Sequence, residues 1–363
     1  MGFRETGLLR EAVEQLRVFL PPSWTIKLIE QLSSADHDHL DGLLELRPPR
    51  GDKITFAVEV KLSTQRFHPE VFMAKYLNMP KGLPSLLVTD YANPAIRRFY
   101  EEAGTSYLDL TGWVYLRDDN AGLFVRSQGA LRAPAAPTKQ GTAMRRLDGP
   151  GASQVVRTLW DIPLPVGVRE LASVAGVSPG TAAKVLPTLA SYGAIVRTAS
   201  GAVEQVDRRL LIERWIQDYG IYTTNPEVSW HLAPRGPGYA YVDLMRLSLD
   251  SDVMGPGISL TGYSGTTLAL PKKTYPVIPD TLMAVYCADP SFLAFHLKLR
   301  TATPTTGNVV LIRPKDESLL RPGPGTSPAP LPQVMADLLT MGGRFPELAE
   351  QIFDISATQT ADI

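Results

Sequence analysis

Apolar residues recur at helical spacing through Val168–Gly193, VRELASVAGVSPGTAAKVLPTLASYG. Val168, Leu171, Ala172 and Ala175 fall on one face of a first short helix, and Ala182, Val185, Leu186 and Leu189 on one face of a second. Gly176 sits between them, where a turn that needs positive φ costs glycine little. Ser178 is placed to cap the second helix, with Pro179 at its first position, where the missing N–H is no loss. Two helices about a glycine turn predict a helix-turn-helix that ends at Gly193. The segments AIVRT, ASGA and VEQVD then read as an alternating strand pair around a glycine turn, the wing of a winged helix. Pro187, inside the second helix, predicts a kink or a shortened helix.

Upstream, the pattern mixes periods of two and 3.6. LLREAVEQLRVFL reads as a helix, followed by strands TIKLIEQL, DGLLELRP and KITFAVEVKLS. Helix HPEVFMAKYLN, strand SLLVTD, helix NPAIRRFYEEAG and one long strand, SYLDLTGWVYLR, complete an α/β layer. Downstream, strands TLMAVYCA and NVVLIRP belong to an α+β part, with RPGPGTSPAP as a surface loop before a last helix from LPQVMADLLT onward. The stretch SQGALRAPAAPTKQGTAMRR is rich in Ala, Pro, Gly and Thr and reads as a linker. The expected organisation is an α/β domain over 1–126, a linker over 127–148, a winged helix-turn-helix over 149–215 and an α+β C-terminal domain over 216–363.

Charge changes this picture more than composition does. The 363 residues and 44% hydrophobic content fit a folded chain of more than one domain. The net charge of −1 conceals −2 over residues 1–130, +5 over 131–215 and −4 over 216–363. The positive excess falls where phosphate neutralisation needs it. Double-stranded DNA is therefore the expected partner, with Ser178, Thr181, Lys184 and the wing residue Arg197 as contacts and no cofactor required for binding. Winged helices commonly bind inverted repeats as dimers, whereas no heptad run supplies a seam, so both a homodimer and a monomer stay open.

Several other chemistries lose ground. The single cysteine, Cys287, excludes an internal disulfide framework, and its apolar setting LMAVYCA predicts a buried, inert thiol. GLLREAVEQLRVFL is broken by charges and does not read as a signal peptide. No apolar run approaches the roughly 20 residues of a membrane helix, so a cytoplasmic protein without membrane contact is expected. His37, His39 and Asp41 form an H-x-H-x-D string of the kind that holds zinc, but no later His completes it and a polar turn is the better reading. Gly323-Pro324-Gly325 has no strand before it to make a phosphate loop. Tyr107, Trp113 and Tyr115 suit core packing better than base stacking, and Arg97 and Arg98 suit a solvated face.

Asp41 opens one predicted strand and Glu59-Val60-Lys61 lies near the end of the next. The order helix, hairpin strands, helix, strand resembles the PD-(D/E)xK nuclease fold. That resemblance implies Asp41 and Glu59 as Mg²⁺ ligands and Lys61 as the group that orients or activates water. Strand side chains two apart share a face, so Glu59 and Lys61 would point together towards Asp41. Hard oxygen ligands suit Mg²⁺, which would generate the nucleophile and stabilise the developing charge.

The stretch LLVTDYANPAIRRFYEEAGTSYLDLTGWVYL, residues 86–116, is similar to part of the AbiEi group of antitoxins from type IV toxin–antitoxin systems. Asn93-Pro94 opens the helix there, and Tyr107, Asp109 and Gly112 match a Y-x-D-x-x-G-N motif, with Trp113 where the family commonly has Asn. The likeness continues into the winged helix and returns at 258–270 and 337–353. It implies an autorepressor that binds promoter DNA and whose C-terminal domain meets a nucleotidyltransferase-type toxin. Two readings stay open: a DNA-binding regulator, and a Mg²⁺-dependent DNA endonuclease targeted by the winged helix.

Overall fold

Alternating apolar and polar positions over residues 42–61 fold as neighbouring strands at one side of a seven-stranded mixed sheet. The structure, a computed structural model, describes residues 3–29, 40–61, 83–131, 146–249, 257–270, 274–320 and 325–361. Helix α1 (Phe3–Leu16) precedes β1 (Thr25–Ile29), β2 (Gly42–Arg47) and β3 (Ile54–Lys61), which pair antiparallel. β4 (Ser85–Thr89) and β5 (Ser106–Asp109) run parallel to β3, with α2 (Pro94–Glu102) joining them. β6 (Val114–Asp118) and β7 (Leu123–Ser127) complete the sheet, whose spatial order is the chain order. The helix expected over HPEVFMAKYLN lies outside the described residues.

Each face of the sheet has its own core. Leu44, Phe56, Val58, Val60, Leu86 and Val88 pack with Leu9, Ala12 and Leu16 of α1. Leu87, Tyr107 and Tyr115 pack on the other face with Ile96 and Tyr100 of α2. A one-residue slip would exchange the two sets, and each aliphatic chain contributes about 1.5–3 kcal/mol when buried, so the alternation pins the register.

Two sequence expectations need correction in this region. SYLDLTGWVYLR is not one strand, because the chain folds back between β5 and β6. Gly112 has a φ of +103°, and Asp109 Oδ1 accepts the N–H groups of both Thr111 and Trp113. The linker also begins later than residue 127. Ser127 is in β7, Trp113 Nε1 donates to the Ala130 carbonyl, and Tyr91 donates its hydroxyl to Leu131.

The chain divides into two compact units, Met1–Met144 with Pro187–Ser200, and Arg145–Leu186 with Gly201–Ile363. In the first, Gly193 at φ +84° packs so closely on the start of α2 that a Cβ would lie 2.6 Å from Asn93 Oδ1. The second contains α3 (Pro150–Leu159), α4 (Val168–Val174), α6 (Arg208–Ile216) and α7 (Ile221–Thr224). α8 (Pro237–Ser248), α9 (Gly262–Ala269), α10 (Pro290–His296), α11 (Leu331–Met341) and α12 (Phe345–Ala361) follow in the same unit. Helix α5 (Pro179–Tyr192) carries residues of both units.

A six-stranded mixed sheet centres the second unit. Its strands are β10 (Glu227–Leu232), β11 (Ile258–Thr261), β12 (Met283–Tyr286), β13 (Arg300–Thr301), β14 (Val309–Arg313) and β15 (Thr326–Pro328), in the order β13-β10-β14-β12-β11-β15. β15 falls in the proline-rich stretch expected to be a loop. It pairs parallel with β11 at the sheet edge, where a Pro such as Pro328 is tolerated. Residues 145–186 join this unit through a nearly buried ion pair between Arg157 of α3 and Asp316. Arg157 also donates to Gln333 Oε1 at 3.0 Å, and Gln154 donates to Asp316 at 3.1 Å.

Candidate functional site

Local capping chemistry builds the helix pair at 168–192. Gly176 adopts φ +67°, and the N–H groups of Gly176 and Val177 donate back to the carbonyls of Ser173 and Ala172, which closes α4. Ser178 Oγ accepts the Thr181 N–H at 3.1 Å and so caps α5, while the two hydroxyls lie 2.9 Å apart. A Cβ at Gly151 would meet Thr181 Cγ2 at 3.0 Å, so the Thr181 methyl packs against α3. Ser178 and Thr181, both expected to contact a ligand, thus hold the start of α5 with their hydroxyls.

Helix α5 shows solvent only one edge of its first half. Ala182, Val185, Leu186 and Leu189 are buried, whereas Pro179, Gly180, Ala183 and Lys184 are exposed. The helix continues through Pro187 to Tyr192. β8 (Ile195–Arg197) and β9 (Val203–Val206) follow it in the chain, with Gly201 at φ +91° between them. Arg197 lies half-buried on β8. The capped N-terminus of α5, with small residues on its open side and one outward ammonium, is suited to close approach by a polyanion.

The three nuclease-motif residues meet on the seven-stranded sheet. The Asp41 N–H donates to the Val58 carbonyl at 3.0 Å, which extends the β2–β3 pairing by one step and places Asp41 opposite Glu59. Since Val58 and Val60 face α1, alternation puts Asp41, Glu59 and Lys61 together on the opposite face. Lys61 Nζ stands 2.5 Å from Glu59 Oε1, and Asp41 Oδ2 accepts the Val60 N–H at 2.8 Å. One oxygen of each carboxylate is therefore engaged within the sheet. The pair fits Mg²⁺ by ligand type, since that ion is often held by one or two carboxylates with substrate phosphates. Among the described residues no group of three or more His, Cys, Asp or Glu is placed to hold a metal ion. His37 and His39 of the H-x-H-x-D string lie outside the described residues.

The residues of the Y-x-D-x-x-G motif all have internal partners. Tyr107 is buried, stacks on Tyr115 with centroids 5.9 Å apart, and donates its hydroxyl to Glu101. Asp109 is fully buried and binds the turn, its Oδ2 also accepting the Ala92 N–H at 2.8 Å. Burial pushes its carboxyl above the usual range, against the hydrogen bonds from Ala92, Thr111 and Trp113. Asn93 caps α2 by accepting the Ile96 N–H, and the Arg97 guanidinium lies 3.7 Å above the Trp113 ring. Cys287 is buried as expected, and that burial pushes its thiol up to about 12.

A dense buried polar cluster joins residues to which the sequence assigned no chemistry. Asp337 of α11 accepts from Tyr219 (2.6 Å), Tyr286 (2.9 Å), Thr261 (2.5 Å) and Gln333 (2.9 Å). The one local sign is the pair Gln333 and Asp337, four apart on a helix whose other buried residues are apolar. Gln333 also accepts from Arg157, so the cluster extends to α3.

Among the described residues no helix is long and apolar enough to cross a membrane. No protein-family model matches this chain, and no curated protein or solved structure shows significant similarity to it.

Proposed function

We propose that this protein is a DNA-binding transcriptional regulator of the antitoxin type, reading promoter DNA through α4, the Gly176 turn and α5 as a winged helix-turn-helix. The observation that carries this reading is the exposed edge of α5, from its Ser178-capped N-terminus to Lys184. A reading helix presents its first turns to base edges in a groove about 12 Å wide, and Gly180 and Ala183 leave that edge slim. Lys184 reaches phosphate or guanine, Arg197 of β8 is the wing residue that reaches phosphate, and Ser178 and Thr181 offer the backbone they organise. The positive excess over residues 131–215 supplies the field. A homodimer on an inverted repeat is the assembly this reading implies. A nucleotidyltransferase-type toxin as partner rests on sequence likeness alone. Asp109 and Gly112 serve the turn they build, so they mark a fold element and not the surface a toxin would meet.

Fluorescence anisotropy with duplex DNA from the region upstream of the gene tests the proposal. Binding should be tighter to that duplex than to an unrelated one. Lys184→Ala should weaken it roughly tenfold and lower the slope of log affinity against log salt by about 0.9. Equal binding to both duplexes would refute the regulator, and an unchanged slope would move the reading edge away from Lys184.

The shared face of Asp41, Glu59 and Lys61 favours one second reading, a PD-(D/E)xK-like endonuclease in which Mg²⁺ would polarise phosphate and supply bound hydroxide. The Glu59–Lys61 contact at 2.5 Å sets a cation on one of the two proposed ligands, which ranks this reading second. Supercoiled plasmid with Mg²⁺ is expected to stay intact. Cleavage abolished by both Asp41→Ala and Lys61→Ala would replace the regulator with the enzyme.

A further inference from the structure

An open cleft of about 580 Å³ lies between α8 and the segment that leaves α10. Its volume falls within the roughly 300–1,000 Å³ typical of small-molecule sites. Leu247, Leu297 and Leu299 give it an apolar floor, and Tyr239 and His296 line it with rings. Arg235, Arg246 and Lys298 place three permanent cations around it, against the single carboxylate of Asp243. Asp243 pairs with Arg235 at 2.6 Å and lies 3.8 Å from Arg246, so it orients two guanidinium groups without matching their charge. This positive pocket is set in a part of the chain that is net negative, −4 over residues 216–363.

Lys298 adds an independent sign. It is the one non-glycine with positive φ among the described residues, at +54°. Its N–H donates to Phe295 and that of Leu299 to Ala294, the same closing bonds that Gly176 and Val177 make at the end of α4. Glycine takes that position at no cost, whereas a lysine there is strained. Among the described residues Lys298 forms no ion pair, so none of them repays the strain. Asp280 stands beside the first turn of α8, 3.7 Å from where a Cβ on Gly238 would lie. The anion is therefore left to the side-chain cations.

We propose that this cleft binds a nucleoside phosphate, with the phosphate held by Arg235, Arg246 and Lys298 and the base lying against Tyr239 over the leucine floor. The cavity is larger than an inorganic anion needs, and the exposed Tyr239 ring gives the base a face, with the Arg235 guanidinium 5.2 Å from its centroid. The site is separate from α5 and stands whether or not the chain binds DNA.

Isothermal titration of the full chain with AMP, ATP, adenosine and inorganic phosphate tests it. AMP or ATP should bind saturably, at least about tenfold tighter than adenosine or phosphate alone, and more weakly as salt rises. Lys298→Gly should raise the melting temperature of the free protein and weaken nucleotide binding about fivefold or more, a combination a purely structural lysine would not give. Arg246→Ala, at a side chain 77% exposed, should fold normally and also lose affinity. The proposal fails if neither nucleotide binds at millimolar concentration, or if phosphate alone binds as well. It fails equally if both variants bind nucleotide like the wild type, or if a single-stranded oligonucleotide displaces the nucleotide, which would make the cleft a nucleic-acid surface.

Discussion

Replacing Asp337 with alanine is expected to destabilise its unit by about 4–6 kcal/mol, a large fraction of the roughly 5–15 kcal/mol that holds an ordinary domain folded. The carboxylate accepts from Thr261, Tyr219, Tyr286 and Gln333, all inside the fold. Alanine strands those four donors where water does not reach, at about 1–3 kcal/mol each. Tyr219 and Tyr286, already 3.0 Å apart, can pair with each other and recover part of the loss. Asp337→Asn should cost only about 1 kcal/mol. Its amide oxygen still takes the Gln333 and Tyr219 protons, and its NH₂ faces two hydroxyls, Thr261 and Tyr286, that can turn round and accept.

The same residue predicts a pH dependence. Burial pushes its carboxyl up to about 6, against the hydrogen bonds that pull it down. The folded state then holds this proton more tightly than the unfolded chain, whose carboxyl titrates near about 3.9. The stability it contributes is full below about pH 4 and is lost as pH rises through about 6, an effect of about 3 kcal/mol. Urea denaturation followed by tryptophan fluorescence at pH 4.5 and 7.5 should show a smaller change for Asp337→Asn than for the wild type. Equal changes would mean that another group titrates in this window.

What the sequence made legible follows the range of the interactions involved. Gly176, Ser178 and Pro179 act within four residues of themselves, so the limits of α4 and α5 could be read almost directly. The alternation through 42–61 is equally local, and it suffices to set Asp41, Glu59 and Lys61 on one face. The break in SYLDLTGWVYLR is hidden because apolar, β-favouring residues flank Thr111-Gly112 on both sides. The residue that breaks it, Asp109, also works through Ala92, which is 17 positions away. Packing of α3 against later residues depends on Arg157 meeting Asp316, a separation of 159. The Asp337 cluster gathers hydroxyls from an α6-proximal turn, β11 and β12, and no periodicity in one segment can announce partners in three others. Polar residues on apolar faces, such as Gln333 with Asp337, are the signal worth weighing in such chains.

Asp109 should behave in the opposite way to Asp337 when made asparagine, and the contrast separates two kinds of buried carboxylate. Its Oδ1 accepts the N–H groups of Thr111 (2.8 Å) and Trp113 (3.0 Å) and the Thr111 hydroxyl (2.9 Å). Its Oδ2 accepts the Ala92 N–H at 2.8 Å. Backbone N–H groups stand on both sides, and unlike hydroxyls they cannot reverse. Whichever way an asparagine is turned, its NH₂ meets at least one backbone donor, so Asp109→Asn should lose about 2–3 kcal/mol and Asp109→Ala at least about 4. The loss falls where the end of β4 is tied to the β5–β6 turn, next to the cap of α2, so amide exchange should rise first at Ala92, Thr111 and Trp113. Chemical denaturation of both asparagine variants under one set of conditions is the test. An Asp109→Asn protein as stable as Asp337→Asn would mean that Asp109 is not the clamp of that turn, and the Y-x-D-x-x-G residues would again need a role outside the fold.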